Sequence, residues 1–458
     1  MQGINRLTFF VIATAVVGTV LLYGTVHQPV VALFYLVIGL MVLGWAVDCG
    51  WSGAARFSRH PLQFPLILFG GYALVQIIPF GWRSDTSAVF GAARTISMEP
   101  FATQTAALHI FALAAFFALT LVYLESASRI RRLATTIVVF GFAYGFFAIL
   151  QSVLSPDKIY GIYKPQTATP FGSFVNRHNF AAIMEMAMCL PLGLMFSGAV
   201  ERDKRLLYAV ATALMAASLL LSGSRGGLVA MVSGLVFLVI ITSRARGTRS
   251  LLLKAGLSLL LIFAGIGGAV FVGGETSLTR FGDAATGEDI TSNRTQIWAV
   301  TLRVIAANMP LGAGIGAFAT AYPEHDDTSG LEVVDQAHND YLQVVADAGI
   351  PGLLIGGLFL FLFFREGRRN ISATNTFRRG VACGAFAGCF AILIHSLFDF
   401  VLHITAVSVM FITLLALLVS SGREQPDDVE EPDASERRPR RASNVTPIER
   451  GSRPGDPV

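Results

Sequence analysis

Long apolar runs recur along the chain, separated by short polar segments that contain arginine, glycine or proline. A helix needs about 20 apolar residues to cross the roughly 30 Å hydrocarbon core of a bilayer. Twelve runs approach that length, at residues 8–25, 29–47, 62–80, 102–124, 131–154, 178–199, 205–222, 225–242, 251–272, 340–363, 379–396 and 402–420. The pattern predicts an all-α, polytopic membrane protein with about twelve transmembrane helices, numbered here in chain order.

The composition supports this membrane interpretation. Hydrophobic residues make up 53% of the 458 residues, charged residues only 14%, and the mean hydropathy is +0.61. A soluble domain carries roughly 25% charged residues. The four cysteines, Cys49, Cys189, Cys383 and Cys389, lie within or beside apolar runs. We interpret them as small core residues rather than as disulfides or metal ligands.

The basic residues predict the orientation, because cytoplasmic loops of membrane proteins are enriched in lysine and arginine. With the N-terminus in the cytoplasm, 25 of the 34 lysines and arginines fall on the cytoplasmic side and 9 on the other. We therefore expect residues 1–420 to form a transmembrane domain with both termini cytoplasmic. Residues 421–458 are rich in proline, arginine and acidic residues, which predicts a disordered cytoplasmic tail.

The longest segment between apolar runs, residues 273–338, is predicted to be a structured loop on the outer side, between helices 9 and 10. Asn293 or Ser292 is a suitable N-cap for a helix in this loop. Apolar residues follow at helical spacing, and Pro310 with three nearby glycines ends the pattern. We expect an amphipathic helix that lies over the transmembrane bundle.

Polar residues collect at the same outer end of the bundle. Ionisable groups are costly in membrane segments and usually face a protein interior or a wet cavity, so these residues are functional candidates. They are Asn176, Arg177, His178 and Asn179 at helix 6, Arg225 at helix 8, Arg294 in the loop helix, His338 and Asn339 at helix 10, and His395, Asp399 and His403. The last three stand at four-residue steps, so a continuous helix would place them on one face.

Structural roles are alternatives for several of these residues. Arg225 could extend to the interface without binding a ligand, although the glycines around it leave room for a ligand to approach the backbone. Arg294 could pair with Asp289, and His395 and Asp399 could form a structural hydrogen-bonded pair.

Other acidic residues fit structural roles better. We interpret Asp347 and Glu185 as helix-packing groups. The exposed run of His325, Asp326 and Asp327 resembles a metal site only weakly, and we expect no metal.

Four segments carry short motifs in a consistent order. They are GSFVNRHNFAAIMEMAMCLPLGL (172–194), LLLSGSRGGLVAMVSG (219–234), SNRTQIWAVTLRVIAANMPLGAGIGAF (292–318) and AHNDYLQVVADAGIPGLL (337–354). In this order they resemble the O-antigen ligase and O-antigen polymerase superfamily of bacterial polysaccharide enzymes, over residues 170–405. HSLFDFVLHI (395–404) resembles the closing segment of exopolysaccharide-type members.

The fourth segment matches a family pattern of His-Asn, nine residues, then Gly-x-x-Gly, through His338, Asn339, Gly349 and Gly352. The chain has Leu353 where ligases usually continue with threonine. It also has aspartate at position 347 where glutamate is common, and the choice between ligase and polymerase stays open.

The resemblance implies a glycosyltransferase of the bacterial inner (cytoplasmic) membrane. The donor would be a glycan on undecaprenyl diphosphate, and the acceptor lipid A–core or a growing polysaccharide at the periplasmic face. Guanidinium groups can form bidentate hydrogen bonds to a diphosphate without a metal, so no cofactor is expected. Membrane lipids are expected partners, and nucleic acids are not.

The same resemblance assigns candidate roles to individual residues. Arg225 and Arg294 would hold the diphosphate leaving group. His338 would be the general base, since a neutral histidine can accept the proton of the acceptor hydroxyl near neutral pH. Asn339, Asn176, Arg177, His395 and Asp399 would bind the substrate or support these three.

Two other classes remain alternatives. A multi-span transporter of a small solute or glycan also fits twelve spans, although we find no repeated halves of the kind many transporters show. A non-catalytic assembly protein would tolerate substitution of the candidate histidine and arginines.

Overall fold

The structure is a computed structural model that describes residues 2–79, 95–166, 168–243, 294–327 and 333–423, with a few residues between 252 and 259. Within these residues the regular structure is helical, with only two isolated β-bridges. The longer helices are α1 (Gln2–Leu21), α2 (Gln28–Ser52), α3 (Phe64–Gln76), α4 (Pro100–Tyr123), α5 (Ala127–Leu154), α6 (Arg177–Ser197), α7 (Arg205–Leu221), α8 (Arg225–Ser243), α9 (Arg294–Asn308), α10 (Asp340–Asn370), α11 (Thr376–His395) and α12 (Thr405–Ser421).

The helices confirm a multi-span membrane protein but not the number of spans. Eight are long and apolar enough to cross a membrane, namely α2, α4, α5, α6, α7 with its preceding turn, α8, α10 and α11. The apolar parts of α1 and α12 are shorter. The predicted third span contains a helix of only 13 residues, and the predicted span 251–272 lies mostly outside the described residues. The count of twelve therefore stays a prediction, as do the periplasmic placement of the long loop and the tail beyond residue 423.

Helix α6 lies at the centre of the bundle and is buried along almost its whole length. Its most extensive contact is with α11, where glycines allow the backbones to meet. A Cβ on Gly193 would lie 2.5 Å from the carbonyl oxygen of Gly380, and a Cβ on Gly384 would lie 2.6 Å from that of Cys189. Close approach through small residues is the usual way in which membrane helices pack. The helix that begins with Arg177 and His178 is thus firmly positioned.

The predicted loop helix is present as α9. Val300 and Val304 are fully buried on one face, and Ile297 and Ile305 pack beside them. The proposed N-caps, Ser292 and Asn293, lie outside the described residues. Helix α9 packs against α10, so the loop is fixed over the end of the helix that begins just after His338.

Helix α10 has a sharp break at Gly349, which adopts φ 58° and ψ −142°. The break frees backbone groups that pair with the loop after α9: Ala313 N donates to Ala346 O at 2.8 Å, and Ile350 N donates to Pro310 O at 2.8 Å. Kinks in helices have such local causes. The buried carboxylate of Asp347 accepts from Gly316 N at 3.1 Å, consistent with a packing role.

The chain between α11 and α12 is not a continuous helix. Helix α11 ends at His395, a short 3-10 turn covers Val401–His403, and α12 begins at Thr405. The expectation that His395, Asp399 and His403 share one helical face assumed a continuous helix, and it is therefore wrong. Repeated four-residue spacing does not by itself detect a turn, and each of the three residues has a different partner.

Candidate active site

Asp399 is the centre of a polar cluster at one end of the bundle. Its side chain is only 4% exposed and lies in the turn after α11. Oδ1 is 3.1 Å from His338 Nδ1, and Arg294 Nη2 donates to Oδ2 at 3.1 Å. His178 Nδ1 lies 4.0 Å from Oδ2. One buried carboxylate thus gathers groups from α6, α9 and the start of α10, which are far apart in the chain.

These neighbours keep Asp399 ionised. Burial alone would raise the pKa of Asp399. The hydrogen bond from His338 and the attraction of the neighbouring basic side chains, Arg294 among them, outweigh burial and lower this pKa well below its usual range. An ionised carboxylate can only accept hydrogen bonds, so Nδ1 of His338 is the donor in their contact. The imidazole then presents Nε2 as its acceptor atom.

His338 is held in an unusual backbone conformation, with φ 50°. Non-glycine residues seldom adopt positive φ, and such strain persists only where the surroundings impose it. Trp298 Nε1 donates to Ala337 O at 3.0 Å, and Gln343 Oε1 accepts from Ala337 N at 2.7 Å. The His338 side chain remains 31% exposed. The backbone just before His338 is therefore fixed by these partners, and the ring is held by Asp399 and packs edge-on against Phe400 while staying partly exposed.

Arg294 is the first residue of α9 and bridges the loop helix to the α11–α12 turn. Nη2 donates to Asp399, and Nη1 donates to the carbonyl oxygen of Phe398. Asp289, the alternative partner considered from the sequence, lies outside the described residues. A guanidinium has five N–H donors, so these two bonds leave three for other acceptors.

The first turns of α6 and α8 meet beside this cluster. Asn176 caps α6 by accepting from His178 N at 2.9 Å, and His178 Nδ1 is hydrogen-bonded to Ser224 Oγ at 2.8 Å. Ser224 in turn accepts from Gly227 N at 3.1 Å, as an N-cap of α8. Arg225 is the first residue of α8 and follows the serine that contacts His178. The backbone thus brings Arg225 to the site.

The side chain of His395 pairs with that of Glu185 and not with that of Asp399. Its Nδ1 lies 3.0 Å from Glu185 Oε2, and both side chains are completely buried. A Cβ on Gly226 would lie 3.0 Å from His395 Nε2, so the ring packs against the first turn of α8. The side-chain pair of His395 and Asp399 considered from the sequence is therefore not formed, although Asp399 N donates to His395 O at 3.2 Å. His395 instead joins α11 to the middle of α6.

The remaining predicted site residues make structural contacts. Asn339 caps α10 by accepting from Tyr341 N and Leu342 N at 3.0 Å, while its Nδ2 donates to Leu397 O at 2.9 Å. Its amide is thus engaged on both sides. At Arg177 the backbone N donates to Thr169 O at 3.0 Å.

Three of these side chains could approach a metal ion. His178, His395 and Asp399 each offer one ligand atom, and these atoms lie within 4.8 Å of one another. The sequence did not predict a metal here, and a role without metal stays a prediction.

Sequence reasoning left two contacts near the site unidentified. The interpretation of Glu185 as a helix-packing group agrees with its buried bond to His395, but the sequence did not identify His395 as its partner. Ser224 was not considered, although serine directly before Arg225 is a typical helix N-cap. In both cases the residue could be singled out from its local sequence, but its contact could not, because His395 and His178 are distant in the chain from Glu185 and Ser224, respectively.

The fold and this cluster define a helical membrane protein with a buried Asp–His–Arg site at one end of its bundle. A family model described as O-antigen ligase matches residues 210–356, from within α7 to just beyond the break in α10. This match confirms the resemblance predicted from the motifs and supports membership of the O-antigen ligase and polymerase family. A comparison with curated proteins gives no match.

The matched segment contains Arg225, Arg294, His338 and Asn339, but not Asp399 or its neighbour His178. The break at Gly349 explains the glycine in the family motif, because a Cβ there would lie 2.2 Å from Pro310 O. The motif thus joins a backbone requirement at Gly349 to the histidine, His338, that contacts Asp399.

Proposed function

We propose that the chain is a membrane glycosyltransferase of the O-antigen ligase and polymerase type. It transfers a glycan from undecaprenyl diphosphate to lipid A–core or to a growing polysaccharide at the periplasmic face of the inner membrane. The observation that carries this proposal is the convergence of His338 and Arg294 on the buried carboxylate of Asp399. A base and a cation held together suit a reaction that deprotonates an alcohol and releases an anion.

In the proposed step, the acceptor hydroxyl attacks the anomeric carbon of the donor sugar. The bond from that carbon to the diphosphate oxygen breaks, and its electron pair leaves with undecaprenyl diphosphate. His338 Nε2 takes the hydroxyl proton, and Asp399 stabilises the resulting imidazolium. General base catalysis of this kind commonly contributes a factor of about 10²–10⁴ in rate.

Arginines suit the leaving group because guanidinium groups bind phosphate oxygens through two parallel hydrogen bonds. Arg294 keeps three N–H donors beyond its bonds to Asp399 and Phe398, and Arg225 lies at the start of the neighbouring helix. Anions are also favoured at helix N-termini, where both arginines stand. Asn176, Arg177 and Asn339 shape this end of the bundle rather than carry the reaction.

The proposal is tested with purified protein in liposomes that contain a glycan on undecaprenyl diphosphate and an acceptor. His338→Gln and Arg225→Ala are expected to reduce transfer by at least a hundredfold while the protein still folds. The matched controls are His325→Gln and Arg303→Ala. Both lie in the same loop region, and Arg303 pairs with the exposed Asp327.

Normal transfer by both site variants would refute the assigned roles. Solute flux without any glycan product would instead favour a transporter. With wild-type protein, a product on lipid A–core identifies a ligase, and an extended glycan on the polyprenyl lipid identifies a polymerase.

A further inference from the structure

A second candidate site lies at the opposite end of the bundle from His338. A groove of about 1280 Å³ separates α1 from α5. This exceeds the roughly 300–1,000 Å³ of ordinary small-molecule pockets. The groove begins near Asn5 and Arg6 and follows one face of α1 as far as Leu21. At a rise of about 1.5 Å per residue, its wall on α1 is about 24 Å long.

The deep part of the groove is apolar and open. It is lined along α1 by residues at helical spacing, namely Phe10, Ala13, Thr14, Val17, Gly18 and Leu21. A Cβ on Gly18 would meet no atom within 4 Å, so this wall is unfilled by the protein. A narrow apolar channel along a membrane helix fits a hydrocarbon chain.

The mouth of the groove is strongly basic. Four arginines line it, Arg6, Arg129, Arg131 and Arg132, against one acidic residue, Glu125. Glu125 is already engaged, since it accepts hydrogen bonds from Arg129 at 3.1 Å and from Asn5 at 3.0 Å. The excess positive charge is therefore available to an anion outside the protein.

Two of these arginines, Arg129 and Arg131, contact other protein groups, although Arg131 is also exposed. Arg129 also donates to Tyr123 O at 2.8 Å, and the Arg131 guanidinium stacks over the Phe377 ring at 4.6 Å. Arg6 and Arg132 have exposed side chains. Within the described part of the chain, neither forms a hydrogen bond or ion pair.

Asn5 adds an independent observation at the mouth. Its Nδ2 donates to Glu125, but its Oδ1 is buried and accepts no hydrogen bond from the described residues. A buried acceptor without a donor is costly. The hydroxyl groups of a glycerol headgroup are donors of the kind that this oxygen lacks.

We propose that this groove is a binding site for an anionic glycerophospholipid of the phosphatidylglycerol type. The phosphate lies between Arg6 and Arg132, the headgroup hydroxyls face Asn5, and an acyl chain follows α1 past Gly18. Basic pockets between membrane helices are known to bind anionic lipid headgroups on the cytoplasmic side. The site is at the end that the arginine distribution predicts to be cytoplasmic, and it is independent of the proposed transfer reaction.

The test is native mass spectrometry of full-length protein released from nanodiscs of equal phosphatidylglycerol and phosphatidylcholine. Wild-type protein is expected to retain phosphatidylglycerol preferentially. Arg6→Ala and Arg132→Ala are each expected to weaken the retention of phosphatidylglycerol roughly fivefold, because one arginine near an anionic lipid contributes about that factor in affinity. Arg202→Ala is the matched control, since Arg202 is exposed at the same end but outside the groove.

A steric variant tests the acyl channel separately. Gly18→Phe should reduce retention of both lipids without unfolding the protein, because Gly18 faces open space. Gly39→Phe in α2 is its control, since a Cβ there also meets nothing within 4 Å and Gly39 does not line the groove. A thermal unfolding measurement confirms that all five variants are folded.

Several outcomes would contradict the proposal. These are equal retention of the two lipids by wild-type protein, and unchanged retention in the arginine or Gly18 variants. Displacement of the lipid by millimolar inorganic phosphate would show a site for a soluble anion instead. Preferential retention of a polyprenyl phosphate from a mixture with phosphatidylglycerol would assign the groove to a different lipid.

Discussion

His338 Nδ1 and Asp399 Oδ1 lie 3.1 Å apart, although 61 residues separate them in the chain. The contact joins the start of α10 to the turn after α11. Asp399 touches no reacting atom in the proposed step, so we describe it as a positioning residue. Its charge favours the His338 tautomer with a proton on Nδ1, and in the proposed step it would stabilise the imidazolium.

Asp399→Asn is expected to lower the turnover number for glycan transfer by at least a hundredfold. The amide keeps the size of the side chain but removes the charge that supports the protonated histidine. The Michaelis constant for the donor should change only a few-fold, because the arginine side chains remain. Steady-state kinetics in liposomes measure both values. A hundredfold rise in the Michaelis constant with an unchanged turnover number would contradict a role of Asp399 through His338.

Arg294→Lys tests whether a single positive charge is sufficient. A lysine ammonium cannot contact Asp399 and the Phe398 carbonyl with the planar geometry of a guanidinium. We expect a loss of at least tenfold in transfer activity, with weaker donor binding. Arg303→Lys, nine residues further along α9, is expected to be neutral. Wild-type activity of Arg294→Lys would show that only charge matters at this position.

The helices of this protein were largely predictable from its sequence, whereas the pairings in the site were not. Hydropathy locates apolar runs, and α9 was found from its spacing because Val300 and Val304 form one buried face. Hydropathy does not encode which helices meet. The Glu185–His395 pair joins residues 210 positions apart, and only tertiary packing brings them together.

The turn around Asp399 shows a second limit. Four-residue spacing from His395 to His403 favoured a helical face, but the chain turns after His395. Each residue then contacts a different partner. His395 contacts Glu185 on α6, and Asp399 contacts Arg294 on α9 and His338. His403 contacts Asp340 at the start of α10. The polar residues were correctly placed at one end of the bundle, because the alternation of spans determines that end.

Glu185→Ala is expected to destabilise the protein, since it leaves His395 buried without its hydrogen-bond partner. Loss of such a partner costs about 1–3 kcal/mol. Glu185→Gln keeps an acceptor oxygen and should be less harmful. Thermal unfolding in detergent compares the two variants with wild type. If both variants unfold at the wild-type temperature, the pair does not contribute to stability.

The His403–Asp340 contact should make stability depend on pH. His403 Nδ1 lies 2.8 Å from Asp340 Oδ1. Burial alone would lower the pKa of His403, but the hydrogen bond and charge of Asp340, with the charge of Asp347, raise it above its ordinary value. The folded state therefore binds this proton more tightly than the unfolded state. The stabilisation is complete below about pH 6.5, the ordinary histidine pKa, and is lost as pH rises through the higher folded pKa.

His403→Gln is the variant that isolates this effect. The difference in unfolding temperature between wild type and variant is expected to be largest at pH 5–6 and to shrink towards alkaline pH. Unfolding followed by intrinsic fluorescence over this pH range measures the difference. A difference that stays constant with pH would mean that the pair contributes through neutral contacts only.

Gly349→Ala tests whether the break in α10 positions the site. Alanine is strained at φ 58°, and its Cβ would lie 2.2 Å from Pro310 O, which is backbone that cannot move aside cheaply. We expect a loss of stability of at least about 1–3 kcal/mol from backbone strain. Transfer activity should fall as well, because the loop and the helix segment that carry Arg294 and His338 would shift.

Gly356→Ala, seven residues later in the same helix, is the control. A Cβ at Gly356 meets no atom within 4 Å, so this change is expected to leave folding and transfer close to wild type. Thermal unfolding and transfer assays on the two variants separate a local backbone requirement from a general intolerance of side chains in α10. If Gly349→Ala behaves like Gly356→Ala, the glycine of the family motif is not needed for the break. The position of α10 against the loop would then be held by the remaining hydrogen bonds, including those from Gln76 to Leu311 O and Asp347 O.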